Sequence, residues 1–223
     1  TNIIGRENLS LSLIKGLLLF FFSLSLILGL IVAGLVGWPV FWLGLFCYFI
    51  GIFYSAGPKP LSSLPVGELA SGLTMGYLIF LICVYINTSA VFIWDFATLA
   101  STFLVALPST LLIANLMLAN NTCDLEEDEG NHRYTIVHYI GRKNALRWWT
   151  LAIILAYISI VGAVVLGLIS PLMLLMFILL PFIIKQARPY LQRQVKSETF
   201  IASVKILMVF SLLQAVLMLL ALV

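Results

Sequence analysis

The sequence predicts an all-α polytopic membrane protein with seven transmembrane helices. Hydrophobic residues make up 62% of the chain and charged residues 9%, with a mean hydropathy of +1.14, which excludes an ordinary soluble domain. A transmembrane helix needs about 20 apolar residues. Uncharged stretches of suitable length cover residues 16–58, 69–94, 96–123, 148–184 and 206–223.

Two of these stretches are long enough for two helices each, and each contains a break near its middle. The breaks are Gly37-Trp38-Pro39 in the first stretch and Ser170-Pro171 in the fourth. Seven spans are therefore predicted: Leu17–Val36, Trp38–Tyr54, Leu69–Ile86, Phe96–Ala119, Trp148–Leu168, Pro171–Ile184 and Phe200–Val223. Glycines within them are expected to let helices approach closely, with the Gly72/Gly76 pair favouring packing; the others are Gly29, Gly34 and Gly44.

The placement of charge agrees with this number of spans. When the chain is threaded through seven helices, every Lys and Arg falls on one membrane side, and the opposite loops carry only Asp95. The positive-inside rule assigns the basic side to the cytoplasm. The net charge of +3 reflects this asymmetry, so no nucleic-acid partner is expected.

A dense acidic segment follows the fourth span. Five acids fall between Asp124 and Glu129, and no Pro or Gly interrupts the chain before Gly130, so the helix is expected to continue past the membrane surface. Asn120, Asp124 and Asp128 would then lie on one helix face. Two aspartates one turn apart can share a hard cation such as Mg²⁺, completed by water and phosphate oxygens. The alternative is a solvated acidic loop without a ligand.

The neighbouring loops hold candidate phosphate contacts. Residues 131–145 are interpreted as a loop, in which Arg133 is well placed to contact phosphate oxygens. The loop between the second and third spans, residues 54–68, contains three prolines and two glycines and predicts a shaped, non-helical lid. Tyr54 and Lys59 in it are either interfacial anchors or diphosphate contacts, and the loop alone favours neither.

These residues together resemble a known family. Asn-Asn-x-x-Asp-x-x-x-Asp from Asn120, followed by a basic residue, Thr135 and a Tyr-Ile-Gly ending, resembles the second aspartate-rich motif of the UbiA-type intramembrane prenyltransferases. Within that family, Cys-Asp-Leu-Glu-Glu-Asp and the earlier Tyr-Ser-Ala-Gly-Pro are similar to bacterial 1,4-dihydroxy-2-naphthoate prenyltransferases of menaquinone synthesis. Asn120, Asp124 and Asp128 match the motif's functional positions. Arg133 stands where the family usually has Lys, and Tyr54 and Lys59 match less specifically.

The resemblance implies a function and a location. It implies Mg²⁺-dependent transfer of a polyprenyl group from polyprenyl diphosphate to the aromatic acceptor 1,4-dihydroxy-2-naphthoate, giving demethylmenaquinone. Asp124 and Asp128 would be the catalytic, metal-binding residues, and Asn120, Arg133, Lys59 and Tyr54 would bind the diphosphate. The protein would lie in the lipid bilayer of a bacterial cytoplasmic membrane with its active site facing the cytoplasm.

The family has nine spans and two aspartate-rich motifs, and the first motif is not found in this sequence. Residues 1–223 are therefore expected to form a single transmembrane domain, amino-terminally incomplete, that is part of a nine-helix UbiA-type bundle. Thr1–Asn8 resembles the segment that follows the first motif. Two alternatives stay open: a catalytically inactive fragment of a prenyltransferase, and a seven-span transporter.

Overall fold

A computed structural model describes residues 10–222, and Thr1–Asn8 and the final residue of the seventh predicted span lie outside the described residues. The helices of the described part are numbered here in chain order. They are α1 (Leu11–Val36), α2 (Trp38–Ser55), α3 (Gly67–Thr88), α4 (Phe96–Cys123), α5 (Leu125–Gly130), α6 (Ile136–Val165), α7 (Pro171–Gln192) and α8 (Ile201–Leu220). The middle of α3 is a π-helix over Gly72–Leu78, and α7 begins as a 3-10 helix over Pro171–Leu179.

All of these helices except the short α5 are long and apolar enough to cross a membrane, which confirms the seven predicted spans and their order. The largest difference concerns α6, which begins at Ile136, well before the predicted start at Trp148. The loop interpretation of residues 131–145 was therefore wrong for most of that segment. Hydropathy does not detect a charged helical extension, and a turn at Gly141, with φ +74°, separates it from the apolar part.

The main core lies among α4, α6, α7 and α8. Trp149, Tyr190 and Phe210 are the largest side chains buried there. Polar groups inside this core are paired with one another, as burial in an apolar medium requires. The Trp149 indole N–H donates to Ser203 Oγ at 3.1 Å, and Asn115 Nδ2 donates to the Trp149 carbonyl at 2.8 Å. These bonds fix the ends of α4 and α8 relative to α6.

Helices α3 and α4 approach closely at two glycines. A Cβ added at Gly76 would lie 2.4 Å from Thr110 Cα, and one added at Gly72 would lie 2.8 Å from the Thr110 carbonyl oxygen. The predicted packing role of this pair is therefore confirmed. The same expectation was wrong for Gly29, Gly34 and Gly44, because nothing lies within 4 Å of an added Cβ at these positions.

A smaller core joins α1, α2 and α3. It contains Ala33, Val40 and Tyr85, and the Tyr85 hydroxyl donates to the Val36 carbonyl at 3.1 Å. The chain turns between α1 and α2 at Gly37, whose φ of +119° favours glycine. Most of the apolar surface of α1 is exposed, as suits a helix that faces lipid.

The connections at one end of the bundle converge, and we call this the charged end. It comprises the α2–α3 loop, the segment from Asp124 to Thr135 and the α7–α8 loop. Arg133 Nη2 donates to the Ser62 carbonyl at 3.2 Å, and the Tyr134 amide donates to the Ser63 carbonyl at 3.1 Å. Lys196 from the α7–α8 loop forms an ion pair with Asp124. The α2–α3 loop is thus bonded to the acidic segment and contains a short 3-10 turn at Leu61–Ser63.

Candidate functional site

The site begins where α4 ends. The expectation of an unbroken helix was wrong, because α4 stops at Cys123 and Asp124 adopts φ −95° and ψ 7° before α5 starts. The ion pair to Lys196, which comes from a distant part of the chain, stabilises Asp124 at this bend. The Asp124 amide still donates to the Asn120 carbonyl at 3.0 Å, and the Asp128 amide donates to the Asp124 carbonyl at 2.8 Å. The one-turn spacing of the three predicted residues therefore survives the break.

Asp124 and Asn120 form one half of the site. Asn120 Nδ2 donates to Asp124 Oδ2 at 3.2 Å, as the predicted shared face requires. The Lys196 ammonium donates to both Asn120 Oδ1 and Asp124 Oδ2. A cation therefore already lies against the predicted metal ligands.

Asp128 forms the other half and is almost fully buried, with 4% of its surface exposed. Arg133 Nε lies 3.4 Å from Asp128 Oδ1, and the Arg133 amide donates to the Asp128 carbonyl at 2.8 Å. Asp128 Oδ2 is buried and has no hydrogen-bond partner in the part of the chain that the structure describes. Burial raises the pKa of Asp128, the Arg133 charge opposes this, and the nearby Asp124 charge adds to it. The negative charges of Asp124 and Asp128 are thus close enough to interact.

A third carboxylate, which sequence reasoning did not assign to the site, lies at the start of α3. Glu68 is 9% exposed, and its Oε1 accepts a 2.7 Å hydrogen bond from Asn121 Nδ2. Its Oε2 is buried without a partner among residues 10–222, as is the hydroxyl of Tyr54. The Tyr54 hydroxyl is near enough to Glu68 and Arg133 for their charges to act on it. The structure therefore brings Tyr54 to the site.

The remaining acids of the segment serve other contacts. Glu126 accepts two hydrogen bonds from Arg142 Nη2, at 2.7 and 2.9 Å, which lower the pKa of Glu126. Glu129 Oε1 lies 2.7 Å from His138 Nδ1. Both contacts fasten α5 to the charged extension of α6, while Glu127 is exposed. Of the five acids, only Asp124 and Asp128 are left for a ligand.

Lys59 is the one predicted site residue that the structure does not bring into contact. It is exposed and forms no hydrogen bond or ion pair with the described residues, so its role stays a prediction. Lys196, which the sequence suggested only as a positive-inside residue, supplies a cation at the site instead. No local pattern marks it, because it lies 72 residues from Asp124 along the chain.

The oxygen atoms of the site suit a hard divalent cation. Between Ser10 and Leu222, no three His, Cys, Asp or Glu residues come together as a metal-binding group. Asp124 and Asp128 supply carboxylates, Asn120 supplies an amide oxygen, and the unpaired Asp128 Oδ2 and Glu68 Oε2 lack any other partner. Mg²⁺ is commonly held by one or two carboxylates and completes its shell with water and substrate phosphates. The donor set therefore fits Mg²⁺ and does not fit a structural zinc site.

Comparisons with known proteins agree with this chemistry. The sequence model of the UbiA prenyltransferase family matches residues 11–213. The chain is 28% identical over 199 residues to the 1,4-dihydroxy-2-naphthoate octaprenyltransferase of Bacillus subtilis (strain 168), a match that covers 89% of this chain and 62% of that protein. The chain thus spans less than two thirds of this relative. No solved structure matches it.

Proposed function

The chain belongs to the UbiA prenyltransferase family, and we propose that it transfers a polyprenyl group from polyprenyl diphosphate to 1,4-dihydroxy-2-naphthoate in a Mg²⁺-dependent reaction. Enzymes of this family generally use a divalent metal ion. The acceptor is proposed from the name of the Bacillus subtilis relative. The reaction would take place at the charged end, which we assign to the cytoplasmic face of a bacterial membrane because the basic residues gather there.

One observation carries the proposal. Two aspartates, one of them buried with an unpaired oxygen, lie beside Arg133 and Lys196 at the end of an apolar helical bundle. Carboxylates alone would repel a diphosphate, and cations alone would need no carboxylates. The combination suits a divalent ion and a diphosphate bound together.

The residues of the site have distinct roles in the proposed reaction. Asp124, Asp128 and Asn120 would hold the divalent ion, which when bound supplies positive charge to the departing diphosphate. Arg133 and Lys196 would bind diphosphate oxygens, Arg133 with a planar guanidinium suited to phosphate. Tyr54 and Lys59 would complete the contacts from the α2–α3 loop.

Bond changes follow from this arrangement. The bond between the allylic carbon and the diphosphate oxygen breaks, and its electron pair leaves with the diphosphate. The electron-rich naphthoate ring then forms the new carbon–carbon bond, while its carboxylic acid group leaves as carbon dioxide and a proton. The apolar bundle keeps water from the allylic cation and thereby prevents its hydrolysis.

The test uses the full chain in lipid nanodiscs. We expect polyprenyl diphosphate binding to require Mg²⁺ and to weaken by about 100-fold or more in Asp124→Asn and Asp128→Asn, since even outer-shell changes cost 10–100-fold in metal affinity. Glu127→Gln is the matched control, because it removes one charge from the same segment at an exposed residue. Equal binding by all variants with and without Mg²⁺ would contradict the proposal.

Turnover separates the alternatives. Transfer of a labelled prenyl group to 1,4-dihydroxy-2-naphthoate, and not to 4-hydroxybenzoate, would support the proposed acceptor. Mg²⁺-dependent binding without transfer to any acceptor would support the inactive alternative. Movement of the diphosphate across the bilayer without chemical change would support a transporter.

A further inference from the structure

A surface groove runs between α6 and α7, outside the candidate site. At the charged end it opens as a cleft of about 780 Å³ whose lining includes Arg142, Lys143 and Arg147. Deeper in the membrane it continues as an apolar groove of about 600 Å³ lined by α6 and by Phe177 and Leu180 of α7. Ile154 lines both parts, so they form one continuous groove.

The groove changes character along its length in the way a membrane does. Its cationic residues lie at the end of the bundle, followed toward the membrane interior by Leu151, Ile154 and Ile158, which are 50%, 49% and 58% exposed. Lys143 and Val165 are separated along α6 by a helix rise of about 33 Å, close to the thickness of the hydrocarbon core at about 30 Å. The groove is therefore long enough to accommodate a lipid acyl chain.

The cations at the mouth differ in what they contact. Arg142 is paired with Glu126 of the acidic segment. Within residues 10–222, Lys143 and Arg147 form no ion pair, and Arg147 makes one hydrogen bond, to Asn144 Oδ1 at 3.2 Å. Most donors of these two side chains thus remain available. Gln192 across the groove is exposed and can add an amide donor.

We propose that this groove binds one anionic phospholipid, with its phosphate on Lys143 and Arg147 and one acyl chain along the apolar part of α6. The opposite charges of headgroup and mouth, together with the apolar length below it, select this occupant over a zwitterionic lipid. Each cation near a membrane surface contributes about fivefold in affinity for anionic lipid, so two give a preference of about 30-fold. The proposal does not depend on the proposed reaction, since the groove contains none of the candidate site residues.

The experiment measures lipid binding to the delipidated full chain by native mass spectrometry. Phosphatidylglycerol is expected to bind one per chain about 30-fold more tightly than phosphatidylcholine of the same chain length, and Lys143→Gln/Arg147→Gln is expected to remove that preference. Lys185→Gln/Arg188→Gln is the matched control, because it removes the same charge from exposed residues of α7 that do not line the groove. All four residues are exposed, so the fold is expected to persist, as circular dichroism can verify.

A second variant tests the acyl chain. Val161→Trp would fill the apolar part of the groove while leaving the mouth unchanged. It should weaken binding of long-chain phosphatidylglycerol and leave the dihexanoyl form unaffected. The proposal is overturned if the control pair lowers binding as much as the groove pair, if Val161→Trp has no effect on the long-chain lipid, or if a second copy of the chain displaces lipid from the groove.

Discussion

The contact between α3 and α4 predicts a large effect of a single methyl group at Gly76. The Cβ of Gly76→Ala would lie 2.4 Å from Thr110 Cα and 2.7 Å from its amide nitrogen, whereas ordinary contact begins near 3.4 Å. The neighbour is backbone, so one helix must move away by about 1 Å. Overpacking of this kind costs about 1–3 kcal/mol, and more where nothing can yield. The same movement would stretch the 2.7 Å hydrogen bond between Glu68 and Asn121, which joins these two helices at the site.

We therefore expect Gly76→Ala to lower the free energy of unfolding by about 3 kcal/mol, from overpacking and from weakening of a charged hydrogen bond worth about 1.5–3 kcal/mol. Unfolding by sodium dodecyl sulfate in mixed micelles, followed by circular dichroism, measures this change. Gly44→Ala is the matched control: nothing lies within 4 Å of its added Cβ, so it should stabilise helix α2 by up to about 1 kcal/mol. Equal midpoints for the two variants would refute the close packing of α3 and α4.

Three further predictions concern the charged groups of the site. Glu68→Gln keeps an acceptor for Asn121 and removes a charge, so stability should change little while divalent-ion affinity falls about tenfold, the equivalent of one pKa unit; calorimetry that shows wild-type affinity would reduce Glu68 to a structural partner. Lys196→Gln removes the cation that pairs with Asp124, so titration of the free protein should show about tenfold tighter binding of the divalent ion, whereas unchanged affinity would show that the ammonium does not compete. Burial raises the pKa of Asp128, so its stabilising contribution is complete below its ordinary value of about 3.9 and is lost as pH rises through the raised pKa of the folded state. Without divalent ions, Asp128→Asn should therefore unfold with a weaker dependence on pH between about 4 and 7 than the wild type, and parallel pH profiles would contradict the buried placement of this carboxylate.

The sequence was sufficient for features that depend on neighbouring residues. Seven spans follow from hydropathy alone, and Asn120, Asp124 and Asp128 follow from a one-turn spacing that the structure retains. Glu68 and Lys196 could not be found this way, because their partners Asn121 and Asp124 lie 53 and 72 residues away. A charge at the edge of a span is also what membrane topology requires of any such protein.

The helical extension before the fifth span was missed for a related reason. Arg142 bonds Glu126, and Glu129 contacts His138, so this extension packs against α5 at the membrane surface. Hydropathy measures only the preference for lipid and does not recognise a helix that is stabilised by polar contacts. The bend at Asp124 was missed because it depends on tertiary contacts.

The charge balance of the site predicts that divalent ion and diphosphate bind cooperatively. Asp124 and Asp128 are matched by Lys196 and Arg133, so the paired groups carry no net charge before a ligand arrives. An ion alone must compete with the ammonium for Asp124, and a diphosphate alone must approach two carboxylates. Together, the ion meets the carboxylates and the diphosphate releases the ammonium from Asp124 to bind its oxygens.

Each ligand should therefore raise the affinity for the other, and by linkage the two factors must be equal; typical couplings are 5–150-fold. Titration of Mg²⁺ with and without a non-hydrolysable prenyl diphosphate analogue measures the factor once ion–diphosphate association in buffer has been subtracted. Asp128→Asn should abolish the coupling and Glu127→Gln should preserve it, because only the former removes a charge next to Arg133. An Mg²⁺ affinity that does not depend on the analogue would mean that Asp124 and Lys196 remain paired when diphosphate binds, and the site would then have no means of joining ion and substrate.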